Sequence, residues 1–467
     1  MTDQVCYHKQ LLALVVMTAS VFATSSIPST SNDDSLFLTP LLDKGDVRRA
    51  EERSRVGRDE FVFMPHSHAG FITVDKQLGN HLFFWHFPSR LNNSAPLLMW
   101  LNGGPSCTSM LGLLWEHGPI EGKASRKGVH LTRRKHTWVG PFSVVYVDNP
   151  VGTGYSFSEN GTAGYRSTQD GYTNDLYNFV LQFFEIFPEY KTRGFYIGGE
   201  SYAGKFVPSL ADRIHQQRHN ESSEIPLQGI ILGAPLFDPL TQCGELFSYL
   251  YNLGAISKAD MILYRDEMFT LAEQFSNGNQ TNLTLNDVVE KVLRYNEITL
   301  PSFDNYVNDK GGSFKTVEAV MTTAAVRRAV HVGSNQNFMV YNLDLYKMFG
   351  HDFFVSTKSQ LGSLMDNYKV LIYNGDYDVV VNSAMTEAGL MSTPWSKQRQ
   401  YNESRRTFWQ KGDRLKGFYS QTGQFCRVVV HGGGHMAAHD VPDVTLEMVT
   451  HFLQHGCITQ GSNETAT

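Results

Sequence analysis

Three apolar runs in this chain end in residues that together could activate a hydroxyl group. Phe195-Tyr196-Ile197 leads into Gly199-Glu200-Ser201-Tyr202-Ala203-Gly204, and Phe206, Leu210 and Ile214 follow at helical spacing. A serine between small residues at such a strand-to-helix junction is lifted clear of its backbone. The neighbours must be small because the turn is tight and larger side chains would bar substrate. Ala203 stands where the last glycine of G-x-S-x-G would be, so the pattern is met in its looser form. Serine is a poor nucleophile until a histidine accepts its proton and a carboxylate orients that histidine. Val370-Leu371-Ile372-Tyr373 opens into Asn374-Gly375-Asp376-Tyr377-Asp378, and Arg427-Val428-Val429-Val430 opens into His431-Gly432-Gly433-Gly434-His435-Met436. Position alone leaves Asp376 and Asp378 as rival candidates for the acid.

Acyl transfer also needs N–H donors aimed at the oxyanion that develops. Leu101-Asn102-Gly103-Gly104-Pro105-Ser106-Cys107 follows a further apolar run, and its Gly-Gly turn offers a backbone donor with no side chain in the way. The second donor would be the N–H of Tyr202, the residue after the serine. Serine, then acid, then histidine is the chain order of α/β hydrolases. A metal hydrolase competes for the same histidines, since His431, His435 and His439 are spaced by four and Asp440 is adjacent. Gly432 to Gly434 break any helix that would align them, and no H-E-x-x-H occurs, so no metal site is expected.

These residues need strands and helices to hold them. His68 to Val74 and His81 to Phe87 read as a strand pair turning at Gly79-Asn80, and Leu97 to Leu101 and Ser143 to Val147 as buried strands. Between Asp175 and Tyr190, residues Leu176, Phe179, Val180, Phe183, Phe184 and Phe187 mark one helix face, which Pro188 closes. Gly229 to Leu232 reads as another strand, and a last helix starts at Pro442 with Val444, Met448 and Phe452 on one stripe. The alternation predicts an α/β fold: a mostly parallel central sheet with helices on both faces. From about 238 to 346 the strand rhythm stops, and an inserted helical cap over the site is expected there. The catalytic domain would then span 61–467.

The N-terminus reads as a secretory signal over residues 1–23, with Lys9 before the apolar run Leu11 to Ala23. That run is too short to span a bilayer, and no later stretch suits a membrane anchor. Residues 24–60 read as an N-terminal tail or pro-segment, and Thr24 to Asn32 is rich in serine and threonine. Asn92, Asn160, Asn220, Asn279, Asn282, Asn402 and Asn463 each begin a glycosylation triplet, which fits export to a secreted or lysosome-like destination. Cys6 falls in the signal; Cys107, Cys243, Cys426 and Cys457 remain, with three possible pairings and no zinc-like spacing. A net charge of −6 without any basic stripe argues against nucleic acid as a partner.

With these blocks in place, the chain closely resembles the serine carboxypeptidases. The shared segments are Asn102-Gly103-Gly104-Pro105, Asn149-Pro150-Val151-Gly152-Thr153-Gly154, Gly199 to Gly204, Asn374 to Asp378 and Gly434-His435-Met436. Leu36-Phe37-Leu38-Thr39-Pro40-Leu41 looks like the vitellogenic-like branch of that family. The resemblance implies removal of C-terminal residues from peptides and proteins by a monomer or homodimer without a cofactor. It assigns Ser201 as nucleophile, Asp378 as orienting acid and His435 as base, with Gly104 and Tyr202 as oxyanion donors. It also implies that Asn102, Gly103, Glu200 and Met436 bind substrate, Asn102 and Glu200 gripping the C-terminal carboxylate. Two carboxylates can bond only by sharing a proton, so acidic pH should favour cleavage. Ser106 and Ala438 depart from the family, which usually has glycine and proline there. An esterase or acyltransferase using the same triad, or a binding protein on this scaffold, would be the alternatives.

Overall fold

The protein is described by a computed structural model over residues 35–57, 64–125, 128–218, 225–276, 300, 302–308 and 313–459. The apolar runs become strands, and several more polar segments join them: β1 (His68–Asp75), β2 (Asn80–Phe87), β3 (Leu97–Leu101), β4 (Ile120–Ser125), β5 (Gly128–Arg133), β6 (Ser143–Val147), β7 (Phe157–Ser158), β8 (Phe195–Glu200), β9 (Leu227–Gly233), β10 (Lys369–Gly375), β11 (Thr407–Lys411), β12 (Arg414–Thr422) and β13 (Phe425–Val430). Every residue of β2, β3, β6 and β8 is buried, as befits strands covered on both faces.

The main sheet runs in the order β1-β2-β6-β3-β8-β9-β10-β13-β12-β11. Its six central strands, β6 to β13 in that order, are parallel, and antiparallel pairs close both edges. All six therefore end on the same side. The helices Gln169–Ile186 and Ala203–Gln217 pack Phe179, Phe183, Phe206 and Leu210 against one face. The helix Pro442–His455 packs Val444, Met448 and Phe452 against the other. The expected α/β architecture is what forms.

Three departures have simple causes. The helix over Asp175 starts earlier, at Gln169, because the Thr168 hydroxyl accepts the Gly171 N–H at 3.3 Å and caps it. The β11–β12 hairpin escapes an apolar-run reading because only Trp409 of β11 is buried. Residues 35–56, read as part of a tail, include Leu36, Leu38, Leu42 and Ala50 in the main core. Phe37 pairs with Phe71 at the sheet edge, so this stretch belongs to the folded body. The predicted signal and Thr24 to Asn32 lie outside the described residues.

Between Asp238 and Tyr346 the described residues form helices, Pro239–Asn252, Lys258–Ser276, Ser313–Met321 and Ala324–Ala329 among them, and no strand of the sheet. Val317, Val320 and Met321 are fully buried, so the helix that carries them packs on the body. Cys426 and Cys457 form a disulfide that ties β13 to the end of the last helix, while Cys107 and Cys243 are free thiols. A closed loop of 31 residues should contribute about 3–4 kcal/mol. Replacing both cysteines with alanine should lower the unfolding free energy extrapolated to water by that amount, with an m-value equal to or above that of wild type because the unfolded chain is less constrained; an unchanged free energy would refute this.

Candidate active site

Ser201 lies at the carboxyl end of β8 with a φ of 59°, in the left-handed region. A non-glycine residue stays there only when its surroundings over-determine it. Here the Ser201 N–H donates to the Gly233 carbonyl at 3.0 Å, and the Ser201 carbonyl accepts from Gly204 and Leu236, each at 2.9 Å. A Cβ on Gly199 would lie 2.6 Å from the Leu101 carbonyl oxygen, and one on Gly204 2.8 Å from the Leu236 backbone. Both glycines are thus required by contact, and the serine is held outward between them.

Further across the sheet, the loops after β10 and β13 bring the expected acid and base together. His435 Nδ1 lies 2.9 Å from Asp378 Oδ2, and Asp378 is fully buried. The Val381 N–H donates to Asp378 Oδ1 at 3.1 Å, and the His435 N–H donates to the Asp304 carbonyl at 2.6 Å. Asp376 turns elsewhere: it meets His431 Nδ1 at 2.6 Å and the Gly432 N–H at 2.8 Å. His439 stacks on Trp115 with ring centroids 4.4 Å apart. The three histidines spaced by four therefore go to three different partners. Among the described residues no hydrogen bond joins the Ser201 hydroxyl to His435, a contact that commonly tightens only with substrate bound. Burial disfavours a charged His435, but the Asp378 carboxylate beside it, helped by Asp304 and Glu116, outweighs burial and raises it to about 9.

The Asn102–Ser106 turn abuts the serine turn. A Cβ on Gly103 would fall 2.5 Å from the Tyr202 nitrogen and 2.9 Å from Ser201 Cβ. Gly104 follows with a φ of 112°, and the N–H groups of Gly104 and Tyr202 take no part in the backbone hydrogen bonds of these turns. Beneath them, Asp148 accepts from the Ser109 and Tyr155 N–H groups at 3.0 Å and fills the space where a Gly154 Cβ would sit. That is how the Asn149-to-Gly154 block braces the site. The Cys107 thiol is pushed up to about 12 by burial and by the Glu200 and Asp304 charges, so it stays protonated and inert.

Next to Ser201, a buried cluster of carboxyl groups surrounds an amide. Asn102 Nδ2 donates to Glu200 Oε1 and to Glu116 Oε1, both at 3.0 Å. Trp100 Nε1–H and the Gly112 N–H both donate to Asn102 Oδ1 at 3.0 Å and fix its orientation. Trp100 is fully buried in the core and also aims Asn102. Burial pushes both carboxyls up, and Glu116 facing Glu200 drives Glu200 further, so the pair keeps a proton well above the usual carboxylate range. Glu116 is the residue that sequence reasoning passed over. It closes a short π-helix, Gly112–Glu116, and is fully buried against Glu200. Its signal was a lone carboxylate ending the apolar stretch Leu113-Leu114-Trp115. Met436 follows His435 and is half-buried. Asn92, Asn160 and Asn402 are exposed, while Asn220, Asn279, Asn282 and Asn463 lie outside the described residues.

A strained serine turn at the carboxyl end of a parallel strand, served by an imidazole–carboxylate pair from later strands, makes this enzyme a serine hydrolase of the α/β-hydrolase class. Its family is narrower. The chain belongs to the serine carboxypeptidases, whose family profile matches residues 59–455. It is similar to the probable serine carboxypeptidase CPVL of Homo sapiens, with 34% identity over 92% of each chain. It is also similar to the venom serine carboxypeptidase of Apis mellifera, 33% identical over 90% of this chain and 91% of the relative. The vitellogenic carboxypeptidase of Aedes aegypti is 31% identical over 89% of each. Among solved structures, KEX1(DELTA)P, a prohormone-processing carboxypeptidase from Saccharomyces cerevisiae, shares the fold with a TM-score of 0.75 at 20% identity, covering 88% of this chain and 98% of that one. No helix among the described residues is long and apolar enough to cross a membrane.

Proposed function

We propose that this enzyme removes C-terminal residues from peptides and proteins through an acyl-enzyme formed on Ser201. The Ser201 hydroxyl attacks the carbonyl of the last peptide bond as His435 takes its proton, with Asp378 orienting the imidazole and stabilising its charge. The oxyanion is held by the Gly104 and Tyr202 N–H groups. The C–N bond then breaks, His435 returns the proton to the departing amine, and water releases the acyl group by the same steps reversed. Gly103 and Met436 border the leaving residue, whose carboxylate meets Asn102 and the proton shared by Glu200 and Glu116.

The observation that carries this reading is the Asn102–Glu116–Glu200 cluster beside the serine. Buried carboxyls that keep a proton can donate to a carboxylate, and they offer nothing comparable to an ester. Cleavage of free C-termini is accordingly favoured at acidic pH over cleavage of blocked ones. The enzyme works as a monomer or homodimer in the secretory pathway, secreted or in a lysosome-like compartment, with glycans on the exposed sequons. Mass spectrometry of an N-blocked peptide after incubation tests the proposal. Release of single C-terminal amino acids supports it, and internal cleavage or no cleavage overturns it.

A further inference from the structure

Both turns that carry the proposed oxyanion donors are fastened to one segment, residues 342–353. The first fastening is at Ser106, two residues after Gly104. Its hydroxyl donates to the Asn342 carbonyl at 2.8 Å, and the Asn342 N–H donates back to the Ser106 carbonyl at 3.2 Å. A glycine at 106 would lack the hydroxyl half of this pair. The second fastening is at Tyr202 itself. Its ring runs inward and packs on Phe349 and Phe353, and its hydroxyl donates to Asp352 Oδ2 at 2.7 Å.

Lys205 completes the second joint. Its ammonium donates to Asp352 Oδ2 at 3.0 Å, to the Tyr202 hydroxyl at 3.2 Å and to the Asp352 carbonyl, and it lies 4.9 Å over the Tyr202 ring. Tyr202, Lys205 and Asp352 are all buried. A cation in the first turn of the helix Ala203–Gln217 opposes the helix dipole, and a buried ion pair is no better for stability than packed apolar side chains. What the arrangement supplies is direction. An apolar ring can slide in its slot, whereas a hydroxyl bonded at both ends fixes the depth of Tyr202 and so the aim of its N–H.

We propose that segment 342–353 is a strut that sets the spacing of the two oxyanion donors, with Ser106 and the Tyr202–Lys205–Asp352 joint as its two ends. These residues are positioning residues acting through the Gly104 and Tyr202 N–H groups, and the inference rests on the carboxypeptidase reading above. Oxyanion donors act only when aimed at where the charge develops, and losing one costs about 100- to 1000-fold in kcat.

Tyr202→Phe keeps the N–H and the ring and deletes only the hydroxyl; Ser106→Ala deletes only the other fastening. Each variant should lower kcat about tenfold per titratable active site, with KM within about twofold, because a misaimed donor weakens its hold on the transition state and leaves substrate binding untouched. Inactivation by a serine-directed phosphonate should slow in parallel. A falling melting temperature with unchanged kcat in either variant would mean a purely structural role and would overturn the strut, as would an effect carried by KM. Wild-type turnover of the same N-blocked peptide separates the two readings. Its absence would remove the carboxypeptidase assignment, whereas normal wild-type turnover beside unaltered variants would remove the strut alone.

Discussion

Ser201→Ala is expected to lower kcat by about 10⁶-fold while leaving a folded protein. Alanine keeps the backbone at the same φ, and among the described residues the serine hydroxyl supports no hydrogen bond, so stability should change by less than about 0.5 kcal/mol. His435→Ala should be nearly as severe, and the double variant hardly worse than either single, because nucleophile and base act as one unit. Circular dichroism and a denaturation curve establish the fold; active-site titration and peptide hydrolysis establish the drop in turnover. Activity in a Ser201→Ala preparation equal to wild type would end the assignment of the nucleophile.

The second large effect is on pH dependence. For one peptide offered with a free C-terminus and as its C-terminal amide, the ratio of the two kcat/KM values should fall about tenfold per pH unit above the pKa of Glu200. The sign follows from the cluster. Below that pKa the shared proton bonds the substrate carboxylate; above it two ionised carboxylates face a third, and binding is lost. The amide has no charge to repel. Dividing the two profiles removes the limb common to both substrates, the need for a neutral His435. That limb runs the other way, since an imidazole raised to about 9 by the Asp378, Asp304 and Glu116 charges, against burial, recovers its basicity only as pH rises. The share owed to Glu116 exists only while Glu116 is ionised, so in acid, where the pair is protonated, the His435 pKa falls too. Glu200→Gln should flatten the ratio, because an amide donates to a carboxylate at every pH. A wild-type ratio that is flat or rises with pH would refute the role of Glu200.

Much of the candidate site was legible because its residues sit in continuous blocks at strand ends. Gly199 to Gly204 carries both the turn and its steric reasons within six residues, and the glycines prove to be contacts with Leu101 and Leu236. The choice between Asp376 and Asp378 was not legible from position, since both follow β10 within three residues. It depends on which histidine each aspartate faces, and that is set by how the glycine-rich loop after β13 folds back. Glu116 was hidden for a different reason. Its role arises from burial against Glu200, reached through a π-helical turn that no periodicity announces. The helices at 39–54 went unread as part of the core because charged residues flank the few apolar positions that anchor them. The strut from 342 to 353 joins residues 150 positions apart in the chain, beyond any local pattern.

The pairing of His431 with Asp376, a near-copy of the pair at His435 and Asp378, bears on how this enzyme is interrogated chemically. The His431 side chain is 41% exposed and that of His435 only 9%. An acylating reagent for imidazoles therefore meets His431 before His435, as it also meets the exposed His130, His351 and His455. A modification curve would register several histidines consumed with turnover intact before inhibition begins, and a count of modified residues per molecule would overstate the catalytic set. Only protection by a bound product, which shields the inner imidazole and leaves the outer one open to reagent, tells the two apart.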